Sequence, residues 1–202
     1  MPLHMNKPGI RALGVAESFS PGQKFSVLAG VVMRRDLVID GVAYGKTSVG
    51  GDDATSAIAA LFRKFGRNDI NLLLVSGAIL SLYNVVDVDS LHEKVGVPVV
   101  CLTYKETAGI ADSIRRHFPE NAEAKLAAYG KLGPRRRIRL KTGRSVYARV
   151  AGTDLAEAKK ILDVFTLQGS VPEPVRVARL LARSAQAGGQ GLRLGVKTRT
   201  AR

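Results

Sequence analysis

Four cationic side chains are spaced so that together they could bind the phosphates of a nucleic acid: Arg137, Arg139, Lys141 and Arg149. The first three alternate with Ile138 and Leu140, and alternate residues of a strand point to the same face of a sheet. Basic side chains release counterions when they neutralise phosphates, which makes such binding depend strongly on salt. The spacing therefore predicts one exposed basic face, the basic strip, that contributes to nucleic-acid binding.

The other reactive residue types are poorly placed for catalysis. The three histidines fall in separate segments without metal-ligand spacing: His4, His92 and His117. Cys101 ends an apolar run and is predicted to be a buried hydrophobic residue, not a nucleophile. Lys46 and Lys105 could neutralise a phosphate near strand ends, or could be solvated surface residues. The segment at Gly50 and Gly51 lacks the lysine of a phosphate-binding loop.

The positive charge is concentrated in the second half of the chain. The whole chain has 31 Lys and Arg against 17 Asp and Glu, a formal net charge of +14. Residues 1–100 contain ten basic and nine acidic residues (net +1), and residues 101–202 contain 21 and eight (net +13). Such a field attracts polyanions, so nucleic acid is the first expected partner and an anionic membrane surface the second. Alternatively, the basic surface only keeps the protein soluble.

The composition is that of a globular protein. A chain of 202 residues, 46% hydrophobic and 24% charged, is long enough for one well-buried domain. No apolar run approaches the roughly 20 residues that a membrane span needs, and residues 1–11 lack the apolar core of a secretory signal. We therefore expect a cytoplasmic protein, with which the single cysteine agrees.

The order of predicted elements indicates the fold class. Three apolar segments with short connections predict an antiparallel meander: residues 10–18, 25–33 and 37–44. A helix capped by Asp52 or Asp53 follows, to about Phe65. Unbroken apolar runs at 70–76 and 97–102, separated by a predicted helix at 87–95, are typical of parallel strands buried on both faces. This order predicts a ribonuclease-H-like mixed α/β sheet.

The C-terminal part is predicted to elaborate that core. A helix at 108–117 completes the core itself, and the elaboration consists of a hairpin and two helices: residues 135–141 with 145–150, 154–165 and 172–186. Three arginines recur at helical spacing along the last helix: Arg176, Arg179 and Arg183. Residues 188–202 are glycine-rich and basic, which predicts a disordered tail after a domain spanning residues 9–187.

Five segments carry a family resemblance: Gly-Val-Ala-Glu-Ser-Phe at 14–19, Leu-Val-Ser-Gly-Ala at 74–78, Tyr-Asn-Val-Val-Asp at 83–87, Gly-Val-Pro-Val-Val at 96–100 and Pro-Glu-Pro-Val-Arg-Val-Ala at 172–178. In this order and spacing they resemble an archaeal family of uncharacterised proteins related to endonuclease V. The resemblance covers roughly residues 9–187. It implies a ribonuclease-H-like fold and an ancestral connection to metal-dependent cleavage of nucleic acid beside a deaminated base.

The resemblance also implies two aspartates that this chain lacks. Endonuclease V has one in the first strand and one at the end of the fourth, where this sequence has Ala16 and Ser76. Neither residue supplies the charged oxygen that Mg²⁺ prefers. Glu17 could substitute only if the strand bends, because successive residues point to opposite faces. Asp53, like Asp52, is predicted mainly to start a helix, and is the other candidate catalytic residue.

Three functions are compatible with the sequence. The first is a non-catalytic nucleic-acid-binding protein with a degenerate metal site and no cofactor. The second is an active endonuclease that uses Glu17 and another acidic group, in which case Mg²⁺ is the cofactor. The third is a protein-interaction scaffold whose cationic surface meets another protein.

Overall fold

The structure is a computed structural model that describes residues 9–105 and 109–189. Seven strands of this part form one sheet: β1 (Arg11–Ser18), β2 (Phe25–Arg34), β3 (Ile39–Ser48), β4 (Leu72–Val75), β7 (Val99–Thr103), β8 (Arg136–Arg139) and β9 (Ser145–Ala151). Two short strands form a separate hairpin: β5 (Ile79–Leu80) and β6 (Asn84–Val85). The helices are α1 (Ala54–Lys64), α2 (Val88–Val95), α3 (Ala111–His117), α4 (Ala122–Lys131), α5 (Leu155–Phe165) and α6 (Glu173–Gly189).

The strand order of the large sheet is β3-β2-β1-β4-β7-β9-β8. β1, β2 and β3 form the antiparallel meander, and β4 and β7 continue the sheet in parallel with β1. β9 then pairs antiparallel with β7, and β8 forms the outer edge. This arrangement confirms the predicted mixed sheet. It also brings the carboxyl ends of β1, β4 and β7 to one edge.

Helices cover both faces of the sheet. Ile58 of α1 and Leu91 of α2 belong to the same buried cluster as Leu13 and Val15 on one face, while α5 and α6 cover the other. α6 lies unusually close to β1, since a Cβ placed on Gly14 would be only 2.3 Å from the carbonyl carbon of Pro174. Only a residue without a side chain permits this approach, so Gly14 fixes the position of α6 over the sheet.

A turn of unusual backbone conformation joins β5 to β6. Its three residues all have left-handed backbone angles, with φ of 38° for Ser81, 58° for Leu82 and 64° for Tyr83. Residues other than glycine rarely adopt this conformation, because each raises the free energy of the folded protein by about 1 to 3 kcal/mol. Such residues persist only where the surrounding structure holds them. The carbonyl oxygen of Ser81 accepts a hydrogen bond from the backbone N–H of Gly50 at 2.6 Å.

The structure differs from the sequence-based expectation in four places. The β5–β6 hairpin and α4 were not predicted, and the third strand begins at Ile39 because Leu37 has a left-handed φ of 67°. α6 continues to Gly189, so the first two residues of the predicted tail are helical, since glycine disfavours a helix by only about 1 kcal/mol. The rest of that tail, 190–202, and the predicted helix start at 108 lie outside the described residues.

Among the described residues, no helix combines the length and the hydrophobicity that crossing a membrane requires.

Candidate functional site

An open cleft of about 560 Å³ lies where the parallel strands end. Glu17 of β1, Ser76 after β4 and Tyr104 after β7 line it, and α6 contributes Arg179 and Arg183. In open α/β sheets, ligands bind in the crevice at the carboxyl ends of the strands. The position of the cleft in the fold therefore makes it the candidate functional site.

The lining of the cleft is strongly cationic. Five of its side chains carry a positive charge: Lys105, Arg135, Arg149, Arg179 and Arg183. Glu17 is the single carboxylate among the lining residues that the structure describes. A concave surface with this excess of one sign concentrates ligands of the opposite charge. The cleft is therefore suited to an anionic ligand.

Both carboxylate oxygens of Glu17 are engaged in holding the β5–β6 turn. One accepts a hydrogen bond from the backbone N–H of Ser81 at 2.8 Å, and the other accepts from its hydroxyl. The hydroxyl of Ser81 is also 2.6 Å from the Ser26 hydroxyl. Glu17, a candidate catalytic residue, thus has a defined structural role at the edge of the cleft.

Asp53, the second candidate catalytic residue, anchors the other end of the same turn. Its carboxylate accepts hydrogen bonds from the Thr47 hydroxyl at 2.6 Å, the Asn84 amide at 2.7 Å and the backbone N–H of Ser48 at 3.0 Å. Burial raises the pKa of Asp53, but these hydrogen bonds more than offset it and hold the pKa below its ordinary value. The carboxylate is therefore fixed in its ionised form.

The prediction that Asp52 or Asp53 starts a helix is confirmed in position, but their side chains do not cap it. Asp53 is the residue before α1, yet the N–H of Ala54 donates to the Asn84 side chain at 2.9 Å. Asp52 instead pairs with Lys125 of α4, with 2.8 Å between Nζ and Oδ1. These acidic residues organise the loops around the turn.

The residues at the cleft do not fit a divalent metal ion. Ala16 is buried and offers only a methyl group, and the Ser76 hydroxyl oxygen accepts a hydrogen bond from Nε of Arg179 at 2.9 Å. The guanidinium brings a positive charge to a place where a metal ion would need negative ligands. Within the described ranges, no group of three or more His, Cys, Asp or Glu residues could hold a metal ion.

Arg179 and Tyr104 form a second defined contact in the cleft. The guanidinium carbon of Arg179 lies 4.3 Å from the centroid of the Tyr104 ring, in cation–π geometry. The Tyr104 hydroxyl is buried, and no hydrogen-bond partner for it exists within the part of the chain that the structure describes. Burial raises the pKa of Tyr104 to about 12, against a smaller lowering effect of Arg179. The phenol is therefore protonated at neutral pH and can donate.

The register of β8 with β9 puts Arg137, Arg139 and Arg149 on one face of the sheet, as predicted, but not all of the basic strip is exposed. Arg137 and Arg139 are exposed on β8, and Lys141 is exposed just beyond the strand. Arg149 is half-buried instead, because its guanidinium donates to the carbonyl oxygens of Leu132 and Gly133 at 3.1 Å. Burial lowers the pKa of Arg149. The expectation that Arg149 is exposed is thus wrong, and this residue lines the cleft.

Cys101, His92 and His117 lie where the sequence predicts them, and His4 is outside the described residues. Cys101 is buried, which raises its pKa to about 12 and makes it a poor nucleophile. His92 contacts the Val97 carbonyl, and His117 stacks on Tyr83, so these two histidines do not converge.

Sequence reasoning missed the roles of Tyr104 and Arg179. The helical spacing of the arginines on α6 was visible in the sequence, but the contact of Arg179 with Ser76 across the cleft was not. Ser76 and Arg179 are 103 positions apart in the chain.

Comparison with known proteins places the chain in a family. A family model described as endonuclease dU matches residues 8–186. A UPF0215 protein of Pyrobaculum aerophilum is 35% identical over 175 residues, covering 86% of this chain and 93% of the relative.

Two solved structures share the fold at lower identity. Human endonuclease V has a TM-score of 0.63 at 17% identity, covering 93% of this chain and 90% of the human one. Endonuclease V of Ciona intestinalis, solved with DNA containing an inosine, has a TM-score of 0.58 at 14% identity, with coverage of 89% and 86%. The chain therefore belongs to the endonuclease dU family and has the fold of endonuclease V.

Proposed function

We propose that this protein binds nucleic acid through cationic side chains and does not cleave it with a metal ion. The observation that carries the proposal is the composition of the cleft, in which five cationic side chains accompany one carboxylate. The two oxygens of that carboxylate, Glu17, already accept hydrogen bonds from Ser81.

Charge and relationship support nucleic acid as the ligand. The net charge of the chain is +14, and exposed cations on and beside β8 extend the positive surface beyond the cleft. The Ciona intestinalis protein of the same fold is described in complex with inosine-containing DNA. A nucleic-acid backbone is the polyanion that such a surface attracts.

The first alternative is an active magnesium-dependent endonuclease, which predicts that the protein cleaves nucleic acid when a divalent metal ion is present. It requires Glu17 to give up its hydrogen bonds to Ser81 and to bind a metal ion near the Arg179 guanidinium. A protein-interaction scaffold is the other alternative, and it predicts tight protein association with little affinity for nucleic acid.

Binding and cleavage measured on the same substrates test the proposal. Labelled DNA and RNA strands, with and without inosine or deoxyuridine, are titrated with protein at several salt concentrations, in EDTA and in Mg²⁺ or Mn²⁺. We expect affinity that falls steeply with salt, is unchanged by EDTA and yields no cleavage product. Metal-dependent cleavage that disappears in Glu17→Gln would overturn the proposal. Absence of binding at low salt would overturn it as well.

A further inference from the structure

The guanidinium of Arg179 is held in place on two sides. Its Nε donates to the Ser76 hydroxyl at 2.9 Å, and its face lies over the Tyr104 ring at 4.3 Å. Within residues 9–105 and 109–189, its two terminal nitrogens have no hydrogen-bond partner. A guanidinium fixed in this way presents paired N–H donors that match two oxygens of one phosphate.

The Tyr104 hydroxyl supplies an independent observation at the same place. A buried hydroxyl without a partner destabilises a protein, so each case in a folded chain calls for a physical explanation. This hydroxyl is out of reach of bulk water in the free protein, and its residue lines the cleft. A phosphate oxygen is no smaller than a water molecule, so a ligand in the cleft accepts this hydrogen bond, and relieves the cost, only when the side chains that cover the hydroxyl move as the ligand binds.

The surroundings favour a phosphate group as that ligand. Lys105 and Arg183 line the same cleft, so an incoming anion meets positive charge in addition to Arg179. The cleft volume of about 560 Å³ falls within the range of small-molecule sites, which is roughly 300 to 1,000 Å³. A phosphate together with part of its nucleotide can therefore be accommodated.

We propose that Arg179 and Tyr104 form a metal-independent phosphate site, in which a guanidinium anchors a nucleic-acid phosphodiester where a divalent ion is expected from the fold. Ser76 positions the guanidinium by accepting from its Nε. This inference rests on the proposed function, because nucleic acid is the source of the phosphate.

Two pairs of variants separate this role from a structural one. Tyr104→Phe removes the unpartnered hydroxyl. Its control is Thr166→Val, because the Thr166 hydroxyl is also buried without a partner among the described residues, but Thr166 does not line the cleft. Arg179→Lys keeps the charge but loses the paired donors, and Arg176→Lys makes the same change one turn earlier, outside the cleft. Affinity for a labelled single-stranded oligonucleotide is measured in EDTA, and Tm is measured for every variant.

We expect Tyr104→Phe and Arg179→Lys to weaken binding about tenfold each, the effect of losing a hydrogen bond to a charged group. Thr166→Val and Arg176→Lys should bind as the wild type does. The Tm of Tyr104→Phe should be unchanged or higher, since an unsatisfied buried group has been removed. Equal affinity of all four variants overturns the site while leaving nucleic-acid binding intact. A Tm several degrees lower in Tyr104→Phe also overturns it, because the hydroxyl would then have a structural partner.

Inorganic phosphate keeps the inference testable if the proposed function fails. If the wild type binds no oligonucleotide, phosphate is compared with chloride at equal ionic strength by thermal shift. A phosphate-specific rise in Tm that Tyr104→Phe lacks supports the site. No such rise in the wild type overturns it.

Discussion

The close approach of α6 to β1 makes Gly14→Ala the most informative single substitution for the fold. The added Cβ would lie 2.3, 2.5 and 2.6 Å from the carbonyl carbon and oxygen of Pro174 and from the Val175 nitrogen. Carbon atoms pack at about 3.5 to 4.0 Å, so the helix must retreat by about 1 Å. Every clashing atom belongs to the backbone, so no side chain can rotate to make room.

Overpacking of a buried site typically costs 1 to 3 kcal/mol, and we expect the upper end, about 3 kcal/mol, because backbone must move. For a domain of this size that corresponds to a Tm lower by about 6 to 12 °C. Thermal unfolding followed by circular dichroism measures the change. Gly130→Ala is the matched control, since its Cβ would meet nothing within 4 Å and alanine stabilises a helix by about 0.5 to 1 kcal/mol. A Gly14→Ala protein that melts within 2 °C of the wild type (roughly 1 kcal/mol or less) would refute the reasoning.

Two further predictions concern charge. The first is the neutralisation of the three exposed residues of the basic strip, Arg137, Arg139 and Lys141. It should lower the slope of log affinity against log salt by up to about 2 to 3, because about 0.7 to 0.9 is lost for each phosphate contact. An unchanged slope in binding titrations would exclude these residues from the interface. The second is that Asp53→Asn should lower the free energy of unfolding by roughly 2 kcal/mol at neutral pH, because hydrogen bonds to a charged group are lost. Urea unfolding measures this change. The folded-state pKa of Asp53 lies below its ordinary value of 3.8, so this stabilisation is present above pH 3.8 and disappears as the pH falls through the folded pKa. A difference between wild type and Asp53→Asn that does not shrink in acid would contradict this assignment.

The sequence predicted the parallel strands of the sheet because each is a continuous apolar run. The run at 70–76 and the run at 97–102 became β4 and β7, buried on both faces. The β5–β6 hairpin could not be predicted in the same way, because each of its strands has two residues and its turn depends on contacts with Glu17 and Gly50.

The candidate site was predictable only in part. Ala16 and Ser76 were recognised at positions where a metal ligand is expected, but the arginine that bonds Ser76 comes from α6. The exposure predicted for Arg149 was wrong for a related reason. Its partners, the carbonyls of Leu132 and Gly133, follow α4, a helix that was not predicted. Contacts between distant segments leave no periodic signal in a single sequence.

The left-handed turn at Ser81, Leu82 and Tyr83 bears on how the acidic residues of this chain are to be interpreted. Glu17 holds one end of the turn and Asp53 the other, through Asn84. In this chain both acids therefore have a structural role that does not depend on catalysis. An acidic residue beside a strand end of this fold is thus not by itself evidence of a nuclease, because holding a strained turn in place is reason enough for its presence.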